Sequence, residues 1–484
     1  MKKTYIDTAM ERIAPDLILK GGNVVDVFSG RVIKADVIIK DGIICGVGSY
    51  SGENEQDVSG KYIMPGFIDS HVHIESSMTQ PSEYAKAVMP HGITTVIADP
   101  HEITNVCGED GLEFMLKSAE NIPLDVNLML PSCVPATPFE HTGANLDAKT
   151  TQKLAPKFFG IGEMMNYPGI VSGDDETLGK LCLDIIDGHA PLLSGHELDA
   201  YASAGIKTDH ECSVVEEMTE KISKGMYILL REGTLSLDVA KLIKGVTPYT
   251  LRRCAFCTDD RFVGEIIRDG SIDHCIRKAI SLGLNNIDAI IMATLNACEI
   301  YGMKNKGAIA PSYVADIVVA DDLNLSSISQ VYKNGKLVCE NGKALFECET
   351  VDNSKVTNTV HLPKISADFF KTDVKDKFDA IELIPESIIT KKVTVSYSDS
   401  LSKVCVIERH HNLGTKGIGF VTNYGITNGA IATSIGHAPQ AALADPAAGS
   451  ILSVSEALTN LVWAPMAEGM DSISLSANWM WPCR

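Results

Sequence analysis

His71 and His73 stand two residues apart at the end of an apolar run, Met64-Pro-Gly-Phe-Ile-Asp-Ser-His-Val-His-Ile-Glu75. Residues i and i+2 of a strand face the same side, so the two imidazoles can hold one metal ion together. Asp69 and Glu75 share that parity, which makes the strand end a row of potential metal and substrate ligands. The polar residues that end later apolar runs add Glu163, His189, His210 and Asp259. Imidazole and carboxylate together suit Zn²⁺, Fe²⁺ or Mn²⁺, and one carboxylate can bridge two ions about 3.5–4 Å apart. Two such ions acidify a shared water and supply a nucleophile without an activated side chain.

These residues need strands that end on one face. Residues 66–305 repeat apolar strands and amphipathic helical stretches, with strands expected at Gly66–Glu75, Thr94–Pro100, Val126–Pro135, Phe158–Asn166, Ile185–His189, Gly205–His210, Met226–Glu232 and Cys254–Asp260. Eight strand–helix units in about 240 residues match an α/β chain folded as a (β/α)₈ TIM-type barrel, whose chemistry sits at the C-terminal ends of its strands. Short alternating runs occur on both sides, Asp16-Leu-Ile-Leu and Gly42-Ile-Ile-Cys-Gly-Val before it, Ala315-Asp-Ile-Val-Val-Ala and Gln330-Val-Tyr-Lys-Asn-Gly after it. They predict an antiparallel β-sandwich built from residues 1–65 and 306–348. Glu349–Asn358 reads as a linker to a C-terminal α+β domain over 359–437.

Two candidate histidines need context. Alone, His189 in Asp187-Gly-His-Ala-Pro and His210 in Thr208-Asp-His-Glu would be ordinary satisfied polar residues. Their place at the ends of consecutive strand runs turns both into ligands. His196 follows a Ser-Gly turn and precedes Glu197-Leu-Asp-Ala-Tyr, so it reads as a helix-start or surface residue.

Composition narrows the partners. With 62 acidic against 42 basic residues, the net charge of −20 repels nucleic acid and anionic membranes and favours a small, uncharged substrate. No uncharged apolar run of about 18 residues exists, and Met1-Lys-Lys-Thr leads into Asp7, Glu11 and Arg12, so a cytoplasmic protein is expected. Thirteen scattered cysteines argue for reduced thiols. Cys254-Ala-Phe-Cys257 lies in a strand run, where odd spacing sends the two side chains to opposite faces; buried structural thiols are the expectation.

Seven runs follow one another in order: Ser70-His-Val-His-Ile-Glu-Ser-Ser-Met78, Ala98-Asp-Pro-His-Glu102, Gly162-Glu-Met-Met-Asn-Tyr-Pro-Gly169, Asp187-Gly-His-Ala-Pro191, Thr208-Asp-His-Glu211, Arg231-Glu-Gly233 and Cys257-Thr-Asp-Asp-Arg261. Together they resemble the bacterial adenine deaminases of the amidohydrolase superfamily, from about residue 15 to 437. The resemblance implies a homodimeric enzyme of purine salvage that hydrolyses adenine to hypoxanthine and ammonia, with two divalent cations, manganese or iron first and zinc next. It implies His71, His73, Glu163, His189, His210 and Asp259 as ligands, Glu163 as the bridge and Asp259 as proton acceptor. Asp259 is preferred over Asp260 because it follows Thr258, as in the superfamily's Thr-Asp or Ser-Asp signature. Glu75, His101, Glu102, Arg231 and Glu232 lie where substrate contacts are implied. Hydantoinases and dihydroorotases share the His-x-His but bridge through a carboxylated lysine where this chain has Glu163. An amidohydrolase acting on another heterocycle and a non-catalytic or defective barrel are the alternatives.

The end of the chain departs from this pattern. Residues 438–484 hold no Lys and all three Trp, and their lack of periodicity predicts an aberrant or disordered tail, the product of a shifted reading frame or a truncated gene.

Overall fold

Apolar runs buried on both faces form the centre of the fold. The structure, a computed structural model, describes residues 2–137, 140–374, 376–383, 390–398 and 401–421. Phe67–Val72 and Ile93–Ala98 are buried at every position, as strands must be when helices cover one side and a packed core fills the other. They are followed by Asp125–Leu130, Gly160–Met164, Ile186–Gly188, Thr208–Asp209, Tyr227–Arg231 and Cys254–Cys257. The first five pair in parallel as one sheet and the last three as another. A parallel bridge between Val72 and Asp259 closes the eighth strand onto the first. This is the expected (β/α)₈ barrel, with strands shorter than their apolar runs. Its helices bury one stripe each: Ile272–Ser281 buries Ile272, Cys275, Ile276 and Ala279, the i, i+3, i+4, i+7 spacing of a helix face.

Both flanks of the barrel contribute to one nine-stranded sheet. Leu17–Asp26 pairs antiparallel with Arg31–Lys40 but parallel with Glu55–Asp57 and Tyr62–Pro65. Tyr62–Pro65 also pairs antiparallel with Ile317–Ala320, the start of the returning chain. The expected antiparallel sandwich is therefore a single mixed sheet. Tyr62–Pro65 has a partner on each side, which leaves no edge at which a second sheet could begin. An Ile43–Val314 bridge curls the sheet around Leu19, Val37, Ile39, Ile63, Ile317 and Tyr332. The helix Lys2–Ala9 precedes it, an element that the sequence reading did not foresee.

A second unit starts at Thr350. Its described residues form two antiparallel pairs, Lys377–Leu383 with Thr390–Ser396 and Ser402–Ile407 with Lys416–Val421. The tail expected from residue 438 lies outside the described residues. Among the described residues no helix is long and apolar enough to cross a membrane.

Buried charges join sheet and barrel. Lys333 Nζ lies 2.7 Å from Asp316 Oδ2 and 2.7 Å from Asp125 Oδ2, the last at the start of the third barrel strand. Lys306 binds the same two carboxylates. An uncompensated buried charge costs about 3–5 kcal/mol, but without Lys333 the buried Asp316 keeps Lys306 and the part-exposed Asp125 is reached by water. Lys333→Met is therefore expected to lower unfolding free energy by less than that amount in urea titrations, yet by more than breaking the exposed Lys61–Asp321 pair, which should change it by less than about 1 kcal/mol.

Candidate active site

The parity argument holds for the two leading histidines. His71 and His73 converge with their Nε2 atoms 3.2 Å apart. Their Nδ1 atoms face outward: His73 Nδ1 donates to the Asp99 carbonyl at 2.8 Å, and His71 Nδ1 lies 3.4 Å from Asp187 Oδ2. Partners of this kind fix the tautomer and leave Nε2 free for a cation. Asp69 shares the face but is occupied, accepting from Thr258 N and Oγ1 of the eighth strand's end. Glu75 falls in the 3₁₀ turn Ile74–Ser77, where strand parity no longer applies.

Glu163 ends the fourth strand and divides its two oxygens. Oε1 lies 3.2 Å from His73 Nε2, while Oε2 lies 2.6 Å from His189 Nδ1 and 3.2 Å from His210 Nε2. Its backbone N–H donates to Asp99 Oδ2 at 2.9 Å. That approach needs glycine beside it, because a Cβ on Gly162 would sit 2.1 Å from the same oxygen. Asp259 follows the eighth strand with φ +55°, in the left-handed region that non-glycine residues seldom occupy outside constrained sites. Its Oδ1 lies 3.2 Å from His73 Nε2 and its Oδ2 accepts from Arg231 Nη1 at 2.8 Å. All six predicted ligands thus meet at one end of the barrel, in three overlapping groups, His71–His73–Glu163, His71–His210–Asp259 and Glu163–His189–His210.

The donor set fits divalent cations. Neither ring nitrogen of the buried His210 has a hydrogen-bond partner among the described residues, although Nε2 faces Glu163 Oε2 at 3.2 Å. Atoms that converge without hydrogen-bond angles are placed as co-ligands of an ion are. Electrostatics agree. Burial opposes charge throughout the cluster, yet His189 and His210 hold Glu163 well below the carboxylate range, and Glu163, Glu211 and Asp259 lift His210 well above the imidazole range. Against burial, the surrounding histidines also depress Asp259 far below its usual value. Carboxylates this acidic call for positive charge at the position they share.

Three of the five residues expected to meet substrate stand beside this cluster. His101 stacks on His73 with centroids 4.2 Å apart and places Nδ1 3.3 Å from Glu163 Oε1. Glu102 Oε1 lies 3.2 Å from His101 Nε2. Glu75 Oε1 accepts from Ile103 N at 3.3 Å, while its buried Oε2 has no hydrogen-bond partner among the described residues. Burial and the neighbouring Glu102 push Glu75 up to about 8.

The other two are corrected. Arg231 is 3% exposed and committed to Glu211, Asp238 and Asp259, so it buttresses Asp259 and has no fork free for a ligand. Glu232 points to the opposite side, where its carboxylate pairs with Lys278 on a covering helix; adjacent positions at a strand end alternate, so both could not face the site. The sequence reading missed Asp99, Asp187 and Glu211. Each lies within a quoted motif, and Asp187 and Asp99 stand two residues from a histidine, the one available signal. His196 is fully exposed, as expected. All twelve described cysteines are free, and Cys254 and Cys257 are buried.

The sequence matches the amidohydrolase family over residues 62–338. It is 47% identical to an adenine deaminase of Clostridium acetobutylicum over 452 residues, 89% of this chain and 79% of that protein. The chain belongs to the adenine deaminases of the amidohydrolase family. Adenine deaminase 2 of Desulfotalea psychrophila is 44% identical over 90% of this chain and 79% of its own, and residues 383–445 match the adenine deaminase C-terminal domain. Among solved structures, enamidase of the amidohydrolase superfamily shares the fold, with TM-score 0.53 and 18% identity over 68% of this chain and 97% of that one. Residues 418–484 match a different description, the FGAR-AT PurM_N-like domain. The stretch expected to be aberrant, residues 438–484, lies within that second match.

The contact at Gly162 gives a direct check. Gly162→Ala must displace Asp99 or the Glu163 backbone, so the variant is expected to fold but to retain less metal than the parent chain after gel filtration, read by elemental analysis.

Proposed function

We propose that this chain converts adenine and water to hypoxanthine and ammonia, using two divalent cations held by His71, His73, Glu163, His189, His210 and Asp259. The observation that carries the reading is the 47% identity to an adenine deaminase over 89% of the chain. The division of the Glu163 oxygens between His73 and the His189–His210 pair supports a bridge between two cations. All six donors are nitrogen or oxygen, a set that suits manganese or ferrous iron, with zinc next.

When bound, the cations acidify water and make it the nucleophile. The residues of the chain then handle the protons. Adenine carries its amino group on an electron-poor ring carbon, C6. Asp259 Oδ1 faces the cluster, where it can accept the proton released as water adds, while Arg231 fixes the other oxygen. Glu75, which burial and the neighbouring Glu102 push up, is the carboxyl beside the cluster that can donate to ring nitrogen N1 as charge develops there. Return of a proton to the amino nitrogen lets it leave as ammonia.

The test is hypoxanthine and ammonia formation in equal amounts by metal-loaded full-length protein. Turnover of another amino-heterocycle in place of adenine would move the substrate, and no turnover of any with both cations bound would sink the reading. General-base contributions are typically about 10²–10⁴-fold. Asp259→Asn is expected to lower kcat by that order with a smaller effect on KM. Asp260, more exposed and bonded to Ser76, should matter less; a larger loss in Asp260→Asn would transfer the role to it.

A further inference from the structure

Behind the cluster lies a lysine that the chemistry above does not use. Lys221, on the helix Val215–Ser223, is 0% exposed. Its three N–H groups have three acceptors: Ala190 O at 2.7 Å, Asp209 Oδ2 at 2.9 Å and Glu217 Oε1 at 2.7 Å. Asp209 Oδ1 in turn accepts from Ala190 N at 2.9 Å, and Glu217 Oε1 accepts from Leu192 N at 2.7 Å. One ion pair therefore grips Ala190 by both its carbonyl and its N–H. Ala190 follows His189, and Asp209 precedes His210.

The other half of the cluster is held differently. His71, His73 and Asp259 are tied by the barrel's closing hydrogen bonds, Asp259 N to His71 O at 3.0 Å and His73 N to Asp259 O at 3.2 Å. Between the fifth and sixth strands the ladder is sparse, with Lys207 N to Ile186 O at 3.5 Å and Gly188 N to Thr208 Oγ1 at 3.1 Å. The ammonium does there what backbone pairing does on the other side.

We propose that Lys221 is the positioning residue for the His189–His210 half of the site. It sets the separation of the two imidazoles around Glu163 Oε2 without touching either, so the cation they share depends on Lys221 and the cation at His71–His73 does not. This rests on the ligand set proposed above. A lysine serving stability alone predicts a different result, since a general loss of stability would affect both cations alike.

The experiment titrates metal-free, full-length protein with Mn²⁺ and measures bound metal by equilibrium dialysis. The parent chain should bind two equivalents and Glu163→Gln should bind them poorly; failure of either would overturn the ligand set and not the role of Lys221. Lys221→Met should bind the first equivalent as the parent does and the second about 10–100-fold more weakly, the usual cost of losing a group that orients a ligand. Because Lys221→Met leaves two carboxylates unbalanced, Glu217→Gln/Lys221→Met is the second variant; it keeps the trio's net charge of −1, since Asp209 alone then carries it. Lys224→Met, which breaks the exposed Lys224–Asp199 pair beside the same helix, should alter neither equivalent. Parent-like binding of both equivalents in the two Lys221 variants would overturn the proposal, as would equal weakening of both. If neither variant folds, Lys221 is a folding residue and the proposal fails.

Discussion

Four imidazoles and two carboxylates share one buried spot at the mouth of the barrel, and that crowding is the constraint to which the rest of the molecule answers. Burying ionisable groups is costly unless each is compensated, and imidazole nitrogens 3.2 Å apart gain nothing from facing each other. Without cations the cluster resorts to protons, and the carboxylates lift His73 and His210 well above the imidazole range against the opposing effect of burial. Divalent cations satisfy the same carboxylates with more charge in less space. The fold does not bury these groups in spite of their chemistry; it aligns them so that only positive charge at the centre relieves them.

Holding such a set requires a layer of fixed dipoles and charges around it. Asp99 has two tasks, since its backbone carbonyl receives His73 Nδ1 and its side chain receives the Glu163 N–H. Asp187 faces His71 and is itself held by Thr208 and Tyr301. Burial pushes Asp99 up to about 7, with one carboxylate oxygen left without a hydrogen-bond partner among the described residues. That tension follows from building the support out of acidic residues: each anchors a ligand side chain or its backbone and brings a carboxyl group into a region already rich in them.

The barrel and the six side chains that converge at its mouth were legible in the sequence because both rest on short-range rules. Strand parity brings His71 and His73 together, and the ends of apolar runs mark where Glu163, His189, His210 and Asp259 emerge. What stayed hidden depends on which face a residue takes once the strand has ended. Glu75 enters a 3₁₀ turn, and Arg231 and Glu232 part company at the seventh strand's end, one toward Asp259 and the other toward Lys278. The single mixed sheet was hidden for a related reason. The short apolar runs on both flanks show that strands such as Ile317–Ala320 exist but say nothing of which strands they choose as partners, and Tyr62–Pro65, which joins the two flanks, was not among them. In the tail, a family pattern exists without the hydrophobic period by which secondary structure is read.

Arg231 exposes a conflict that the site has to balance. A guanidinium at 2.8 Å from Asp259 Oδ2 fixes the carboxylate and makes it a weaker base, since positive charge nearby favours the ionised form. A free aspartate would accept a proton more readily, but its carboxylate would not be held with Oδ1 aimed at the histidines; the left-handed backbone is fixed separately by its hydrogen bonds to His71 and His73. The same guanidinium spans Glu211, which lies 3.4 Å from His210 Nε2 and 3.5 Å from His189 Nδ1. One buried cation therefore links the eighth-strand carboxylate to the sixth-strand end, and it lends both the rigidity that a proton acceptor beside charged neighbours needs at the expense of basicity. A strongly acidified water is the natural complement to such a base, because a weak acceptor suffices when the donor is strong.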